Sequence, residues 1–522
     1  MRRLQLGPIV GHTDTQSTRI WIRVFDDLAL YELRVIGVGR VLFISIESAL
    51  EFDTAIAVMS GLRSDWRYHY QVLRRGRNVP GARGSFRTMP PDNSMAEIQF
   101  AFVSCNHQKN EGSWAQLRTF IEDSQPRFLL MMGDQVYLDQ SGDTWKAHLD
   151  SAPAKRRQAI AQKYQDNWER DALRIVMANI PTYMIWDDHD VRDGWGSWAA
   201  ESPTLAQRYP RGEKIFRRHD AFFADARDVY LHFQMSHNPA VDLPLPGQRK
   251  AMPLVVRCGR VLVLMLDSRG DRDLWRKESP ILGTQQWIFI ESLLANLPAE
   301  VDALMVVTAA PMATLSPQSL GQRTLGRLQP DVRLFRRGDM QGMDDLINSG
   351  GTPLFQDHPA AAGLNSLLEK TVFEARSVID EVRDQWSHHT SRPEQERLIR
   401  KLGEARLSNR LAGSARAVAF LGGDIHLGGI WDISAPKNAT MPCIVSSGIS
   451  QLADKTSDTL LAVDQNFEIA PGLKSKQRLL IQRYNFGVMQ VVPTGGTPVM
   501  VPAVVPQGAS RATSGQLGGV VG

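Results

Sequence analysis

Four short apolar runs in this chain each stop at a group of metal-binding side chains, and this recurrence restricts the possible fold more than any other feature. "IQFAFV" runs into "SCNH" (Ser104 to His107), "FLLMM" into "GDQVY" (Gly133 to Tyr137), "PTYMI" into "WDDHDVRDGW" (Trp186 to Trp195) and "AVAFL" into "GGDIH" (Gly422 to His426). Runs this short have the length of buried strands rather than buried helices. The runs "RVLVLMLDSR" and "VDALMVVTAAP" add two more, and helical stretches lie near 144–178, 214–233, 284–296 and 373–403. Ser113 is a candidate N-cap for a helix beginning at Trp114. Strands alternating with helices predict a layered α/β protein. In such sheets ligands collect where the strands end, so a polar site assembled from several strand ends is expected.

The first part of the chain has another pattern. In "TRIWIRV", Ile20, Ile22 and Val24 alternate with Arg19, Trp21 and Arg23, and "WRYHYQVLRRG" has a similar period of two. This predicts a small β-sandwich over residues 1–90. The paired prolines of "TMPPDNS" (88–94) forbid helix and limit pairing, as a linker requires. A second unit is expected over 95–505, with an aperiodic insertion at about 313–400. "NFGVMQVVPTGGTPVMVPAVV" predicts a hairpin turning at Gly495 and Gly496, and the Gly/Ser-rich residues 506–522 predict a disordered tail.

Charge narrows the function classes. The 60 basic and 56 acidic residues leave a net charge of +4 with no like-charged run, so no nucleic-acid partner is indicated. No apolar stretch reaches the roughly 20 residues of a membrane helix. The opening "MRRLQLGPIVGHTDTQ" has a basic pair, but Gln5 and the Gly7-Pro8 step interrupt any signal core. The expectation is a cytoplasmic protein, with export by another route left open. Cys105, Cys258 and Cys443 are too scattered for a disulfide framework.

The strand-end motifs carry the chemistry. Asp424 and His426, spaced by two between glycines, can present neighbouring donors from one strand end. Three acids around His189 in "WDDHD" repel one another unless a cation or a basic neighbour is present. Taken singly, an Asp-x-His pair is ordinary loop polarity and Cys105 an ordinary buried thiol. Their coincidence at several strand ends argues for a site.

In order and spelling these motifs resemble the PhoD-like alkaline phosphatases of the calcineurin-like metallophosphoesterase superfamily. The matching stretches are "FVSCN", "MMGDQVY", "IWDDHDVRDGW", "LDSR" (266–269), "LGTQQW" (282–287), "FLGGDIH" and "YNFGVMQV", and "GPIVGHTDTQSTRIWIRV" resembles the family's N-terminal sandwich. The resemblance implies a four-layer αββα core with two metal ions across strand ends. Asp134 would bridge them, with Cys105, Tyr137 and His426 completing the first site. Asp424 and one acid of "WDDHDVRD" would form the second. Alignment with the superfamily's Gly-Asn-His-Asp/Glu motif selects Asp188, whereas the family's Asn a few residues after "DDH" selects Asp193. The superfamily's Asp-x-His is here "SCNH", its Gly-His-x-His is "GGDIH", and "VVTAAPM" lacks its mid-chain histidine.

Ligand chemistry bears on the metals. A thiolate with a phenolate, whose free pKa is about 10, favours ferric iron. Carboxylate oxygens favour calcium, magnesium or manganese, and zinc is compatible with either site. The resemblance implies attack on a phosphate ester by a metal-bound hydroxide between two cations roughly 4 Å apart. His189 is a candidate to orient or protonate the leaving group, and Asn106 and Arg269 to hold phosphate oxygens. For Arg269 a salt bridge to Asp267 or Asp271 is an equal alternative. Two other readings stand beside the phosphomonoesterase: a diesterase acting on phospholipid or teichoic-acid-like polymers, and a non-catalytic, metal-free binding protein.

Overall fold

The period-two pattern at the start of the chain folds into strands β1 (Leu6–Thr13), β2 (Ser17–Arg23), β3 (Tyr31–Val35), β4 (Gly39–Leu42), β5 (Ile44–Ser45), β6 (Thr54–Ser60), β7 (Arg67–Arg74) and β8 (Arg77–Arg87). They form two four-stranded sheets, ordered β1-β2-β6-β5 and β4-β3-β7-β8. Ile20, Ile22, Ala55 and Ala57 of the first pack with Leu33, Tyr70, Val72 and Phe86 of the second in one apolar cluster. The computed structural model describes residues 4–46, 52–140, 142–198, 201–208, 213–241, 248–316, 384–388, 390–408, 414–436, 439–452 and 463–509. Most of the expected 313–400 insertion and the tail beyond Ala509 lie outside the described residues.

The following strands are β9 (Ile98–Val103), β10 (Leu129–Met132), β11 (Thr182–Ile185), β12 (Leu254–Cys258), β13 (Val261–Met265), β14 (Ala303–Thr308), β15 (Ala417–Gly422), β16 (Gly428–Ala435), β17 (Ala439–Ser446), β18 (Asn466–Ala470), β19 (Leu473–Ile481), β20 (Asn485–Val492) and β21 (Val499–Pro506). One sheet runs β11-β10-β9-β20-β21 and the other β12-β13-β14-β15-β17-β16-β19-β18. β9, β10 and β11 are parallel, as are β13, β14, β15 and β17. The helices are α1 (Trp114–Ser124), α2 (Thr144–His148), α3 (Pro153–Trp168), α4 (Asp171–Met177), α5 (Pro203–Arg208), α6 (Glu213–Phe233), α7 (Gly283–Ala295) and α8 (Arg392–Ala405).

Alternation along the central strands sets the layers. Val263 and Met265 of β13 and Met305 and Val307 of β14 join Phe100 and Met131 of the five-stranded sheet, with Leu117 of α1 and Ile160 of α3, in one core. Leu262, Leu264, Leu304 and Val306, the intervening residues, pack with Trp287 and Ile290 of α7 and Leu398 and Leu402 of α8 in another. Both faces of the eight-stranded sheet are thus covered, which is why its central strands read as unbroken apolar runs. The architecture is four-layered αββα beside an N-terminal sandwich. No helix among the described residues is long and apolar enough to cross a membrane.

Two details differ from the sequence reading. The second face of β2 is not solvent: Trp21 is fully buried and donates its indole N–H to His232 O at 2.9 Å, while Arg19 reaches Ser236 O at 3.0 Å. Tyr70 of β7 likewise donates to Ala178 O at 2.9 Å, so the sandwich is clamped to the core. Ser113 precedes α1 without capping it, since its hydroxyl has no partner; its backbone N–H donates instead to Ile449 O at 2.7 Å.

Candidate metal centre

The four motifs do not line one sheet. "SCNH", "GDQVY" and "WDDHD" follow β9, β10 and β11 of the five-stranded sheet, and "GGDIH" follows β15 of the eight-stranded sheet. The loops meet because the chain turns abruptly at each ligand-type residue: φ is +59° at Cys105, +52° at Asp134, +66° at Asp424 and +57° at His426. Left-handed conformations are uncommon outside glycine and concentrate at functional sites. Two glycines make the approach possible. A Cβ on Gly133 would sit 2.6 Å from Asp187 Cβ, and one on Gly423 would sit 2.2 Å from Ser104 Oγ.

Three groups of donor atoms result, each with its atoms within 4.8 Å of one another: Cys105, Asp134 and His426; Asp134, Asp188 and His189; Asp187, Asp188 and Asp424. Asp134 links the first two and Asp188 the last two. Tyr137 joins the first group, its hydroxyl 3.3 Å from Asp134 Oδ2 and 3.2 Å from His426 Nε2. Ser447 Oγ accepts from the His426 backbone N–H at 2.7 Å and lies 3.0 Å from Cys105 Sγ. Burial pushes the Cys105 thiol up to about 11, against the pull of the Ser104 and Ser447 hydroxyls. Burial also raises Asp134, Tyr137 and Asp424 well above their ordinary ranges, with neighbouring acids adding to the effect.

Among the described residues, the buried carboxylate atoms Asp134 Oδ1, Asp187 Oδ2 and Asp188 Oδ1 have no hydrogen-bond partner. Acceptor atoms crowded in this way fit cations, which would supply the missing partners and bring the acids and thiol to their charged forms.

Of the two acids left open by the sequence, Asp188 belongs to two of the groups, and Asp193 to none among the described residues. Burial pushes the Asp193 carboxyl up to about 6, opposed by His189. Burial raises Asp187 to about 7 even beside Arg269. In Asp188 burial is overcome by His189, Arg269 and the Gly194 N–H, which hold its carboxyl down at about 2.

Arg269 is engaged differently from either expectation. Its fully buried guanidinium donates from Nε to Asp187 Oδ1 at 2.5 Å and forks onto Asp384 at 2.5 and 2.7 Å. A further bond goes to Trp195 O at 3.0 Å. The anticipated partners are occupied elsewhere: Asp267 accepts from Trp186 Nε1 at 2.7 Å and Asp271 pairs with Arg276 at 2.8 Å. With its donors on these acceptors, Arg269 is held between Asp187 and Asp384. Asn106 keeps a donor in reserve, because its amide oxygen accepts from Trp114 Nε1 at 2.9 Å while its buried Nδ2 has no hydrogen-bond partner among the described residues.

His189 Nδ1 lies 2.8 Å from Asp139 Oδ1, and the ring stands 4.4 Å from Tyr137, centroid to centroid. Burial alone would lower this imidazole, but Asp139, Asp188 and Asp134 raise it well above its usual value. Sequence reasoning missed Asp187, Asp139, Asp384 and Ser447. Asp187 was in view within "WDDHD", and Asp139 lies two residues past Tyr137; nothing in the sequence marked Asp384 or Ser447.

Comparison with known proteins bears on the family and the fold. No curated protein matches the chain. A solved structure of PhoD is similar in fold, with 14% identity and a TM-score of 0.60 over 97% of this chain and 89% of that one. A purple acid phosphatase, PPD1 from seeds of yellow lupin (Lupinus luteus), is similar at 11% identity and a TM-score of 0.46, over 95% of this chain and 71% of its own. The family model described as PhoD-like phosphatase matches residues 100–494, the span that contains every strand-end motif described above. The chain therefore belongs to the PhoD-like phosphatase family and is a metal-dependent phosphatase.

Proposed function

We propose that the protein hydrolyses phosphate monoesters at a binuclear centre in which Asp134 is shared between two cations. Cys105, Tyr137 and His426 complete the first site, and Asp188 and Asp424, beside Asp187, hold the second. The observation that carries this reading is the chain of three donor groups linked through Asp134 and Asp188. A thiol, a phenol and an imidazole beside a carboxylate suit ferric iron, and the carboxylate-only end suits calcium, magnesium or manganese. Bound there, the two cations would supply Lewis acidity and an activated water for in-line displacement at phosphorus.

The remaining roles fall to the protein's own groups. Asn106 Nδ2, with its donor free, can hold a phosphate oxygen. His189, whose Nδ1 lies 2.8 Å from Asp139 Oδ1, can give a proton to the leaving alkoxide. Arg269 and Asp384 fix Asp187 behind the second site.

The test compares p-nitrophenyl phosphate with bis(p-nitrophenyl) phosphate, using protein purified without chelator, assayed with added calcium and analysed for metal. Two metal equivalents with a large excess of monoester turnover are expected. A reversed ratio would move the assignment to a diesterase. Folded protein with neither metal nor turnover would overturn it in favour of a binding protein.

A further inference from the structure

A second cationic site lies at the seam between the sandwich and the phosphatase core. A cavity of about 130 Å³ is lined by Arg67 and Arg87 from the sandwich and by Arg118 and Arg127 from the core, over an apolar floor that includes Phe86 and Ile121. Four guanidiniums share a lining that contains one carboxylate, Glu122, which lies 2.8 Å from Arg118 Nε. Asp65, outside the lining, pairs with both Arg87 and Arg127. Arg67 has a neutral partner, Ser85 Oγ at 3.2 Å. The buried Arg87 Nε is 3.0 Å from Asp65 Oδ1 but has no acceptor in hydrogen-bond geometry. Two carboxylates against four guanidiniums leave about two positive charges uncompensated around the lining.

We infer that this seam binds one small tetrahedral oxyanion of the inorganic phosphate class, by fork-like contacts from Arg67 and Arg87. The cavity is large enough to take one such oxyanion among its four guanidiniums. The site is separate from the metal centre. Arg127 precedes β10 and Asp134 follows it, so the two lie at opposite ends of the same strand. Because two of its arginines come from each unit, an anion bound there would tie the sandwich to the core.

The test is equilibrium dialysis of the metal-loaded protein against labelled inorganic phosphate, for the parent and for Arg67→Gln/Arg87→Gln. The parent is expected to bind one more phosphate per chain than the double variant, with kcat on p-nitrophenyl phosphate unchanged within about twofold. That difference is read whether or not the metal centre turns over, so failure of the phosphatase reading would remain distinguishable. Arg118→Gln, on the more exposed side of the cavity, is a second variant should the double one fold poorly, and is expected to weaken seam binding by about tenfold. Equal phosphate stoichiometry and affinity in the parent and in a folded variant would overturn the inference.

Discussion

The most demanding test of the centre's architecture is Asp384→Asn. Asp384 receives two bonds from Arg269 and lies 3.1 Å from Arg272, and all three side chains are at most 5% exposed. Removing one partner of a buried ion pair costs about 3–5 kcal/mol, because the other charge stays behind without compensation. Asparagine keeps one acceptor and nearly the same volume, so the lower end, about 3 kcal/mol, is expected; Asp384→Ala belongs near about 5 kcal/mol. The smaller figure corresponds to roughly 100-fold in the unfolding equilibrium. Arg269 would then lean more heavily on Asp187, disturbing the carboxylate beside Asp188 and Asp424. The assay is urea denaturation followed by both tryptophan fluorescence and far-UV circular dichroism, with coincident transitions as the condition for reading a free energy. A loss below about 0.5 kcal/mol with phosphatase activity intact would refute the argument that Asp384 and Arg269 form the support of the centre.

Gly423→Ala places a methyl group against Ser104 Oγ, which itself lies 3.3 Å from Cys105 Sγ; about 1–3 kcal/mol of overpacking and a loss of turnover of at least about tenfold are expected in steady-state assays. Cys105→Ala and Asp134→Ala should each lower metal content and abolish turnover while circular dichroism stays unchanged, and full activity at unchanged metal content would remove these residues from the centre. Tyr137→Phe should bleach any phenolate-to-iron absorption, and an unaltered spectrum in a coloured protein would exclude Tyr137 as a ligand. His237 is completely buried, and burial pushes its imidazole down to about 3, so the folded state binds fewer protons than the unfolded one between about pH 3 and 6.5. Its contribution is complete above about pH 6.5 and falls on acidification by up to about 1.4 kcal/mol per pH unit. Melting temperatures of His237→Gln between pH 4 and 7 should therefore show a shallower slope than the parent, and equal slopes would contradict this.

Several of the side chains that cluster and part of the fold were legible in the sequence, for identifiable reasons. Cys105, Asp134, Asp424 and His426 were legible because each follows a short apolar strand whose end is fixed by composition. The choice between Asp188 and Asp193 was not, since both lie in one irregular stretch and only the fold decides which carboxylate turns towards Asp134. The ion-pair partners of Arg269 were not legible because spacing favours nearby acids, whereas Asp187 and Asp384 are far away in the chain. β16 and β19 escaped notice because β16 opens on two glycines and β19 "LKSKQRLLI" is largely exposed and polar. The buried side of Trp21 was invisible because an alternating strand looks the same whether its second face meets water or another unit.

The position of β20 also constrains how such a chain can be made. β9 is held between β10 on one side and β20 on the other, and Asn485, the first residue of β20, donates to Ser447 O at 2.9 Å beside the thiol. During synthesis the sandwich and the early strands emerge long before their last neighbour. β9 must wait with one edge uncovered until β20, far along the chain, has left the ribosome. An uncovered apolar edge is a template for pairing with other chains. A product released before β20 would thus lack the support of the segment at Ser447 and display an adhesive strand, so early termination should yield insoluble fragments rather than weakly active ones.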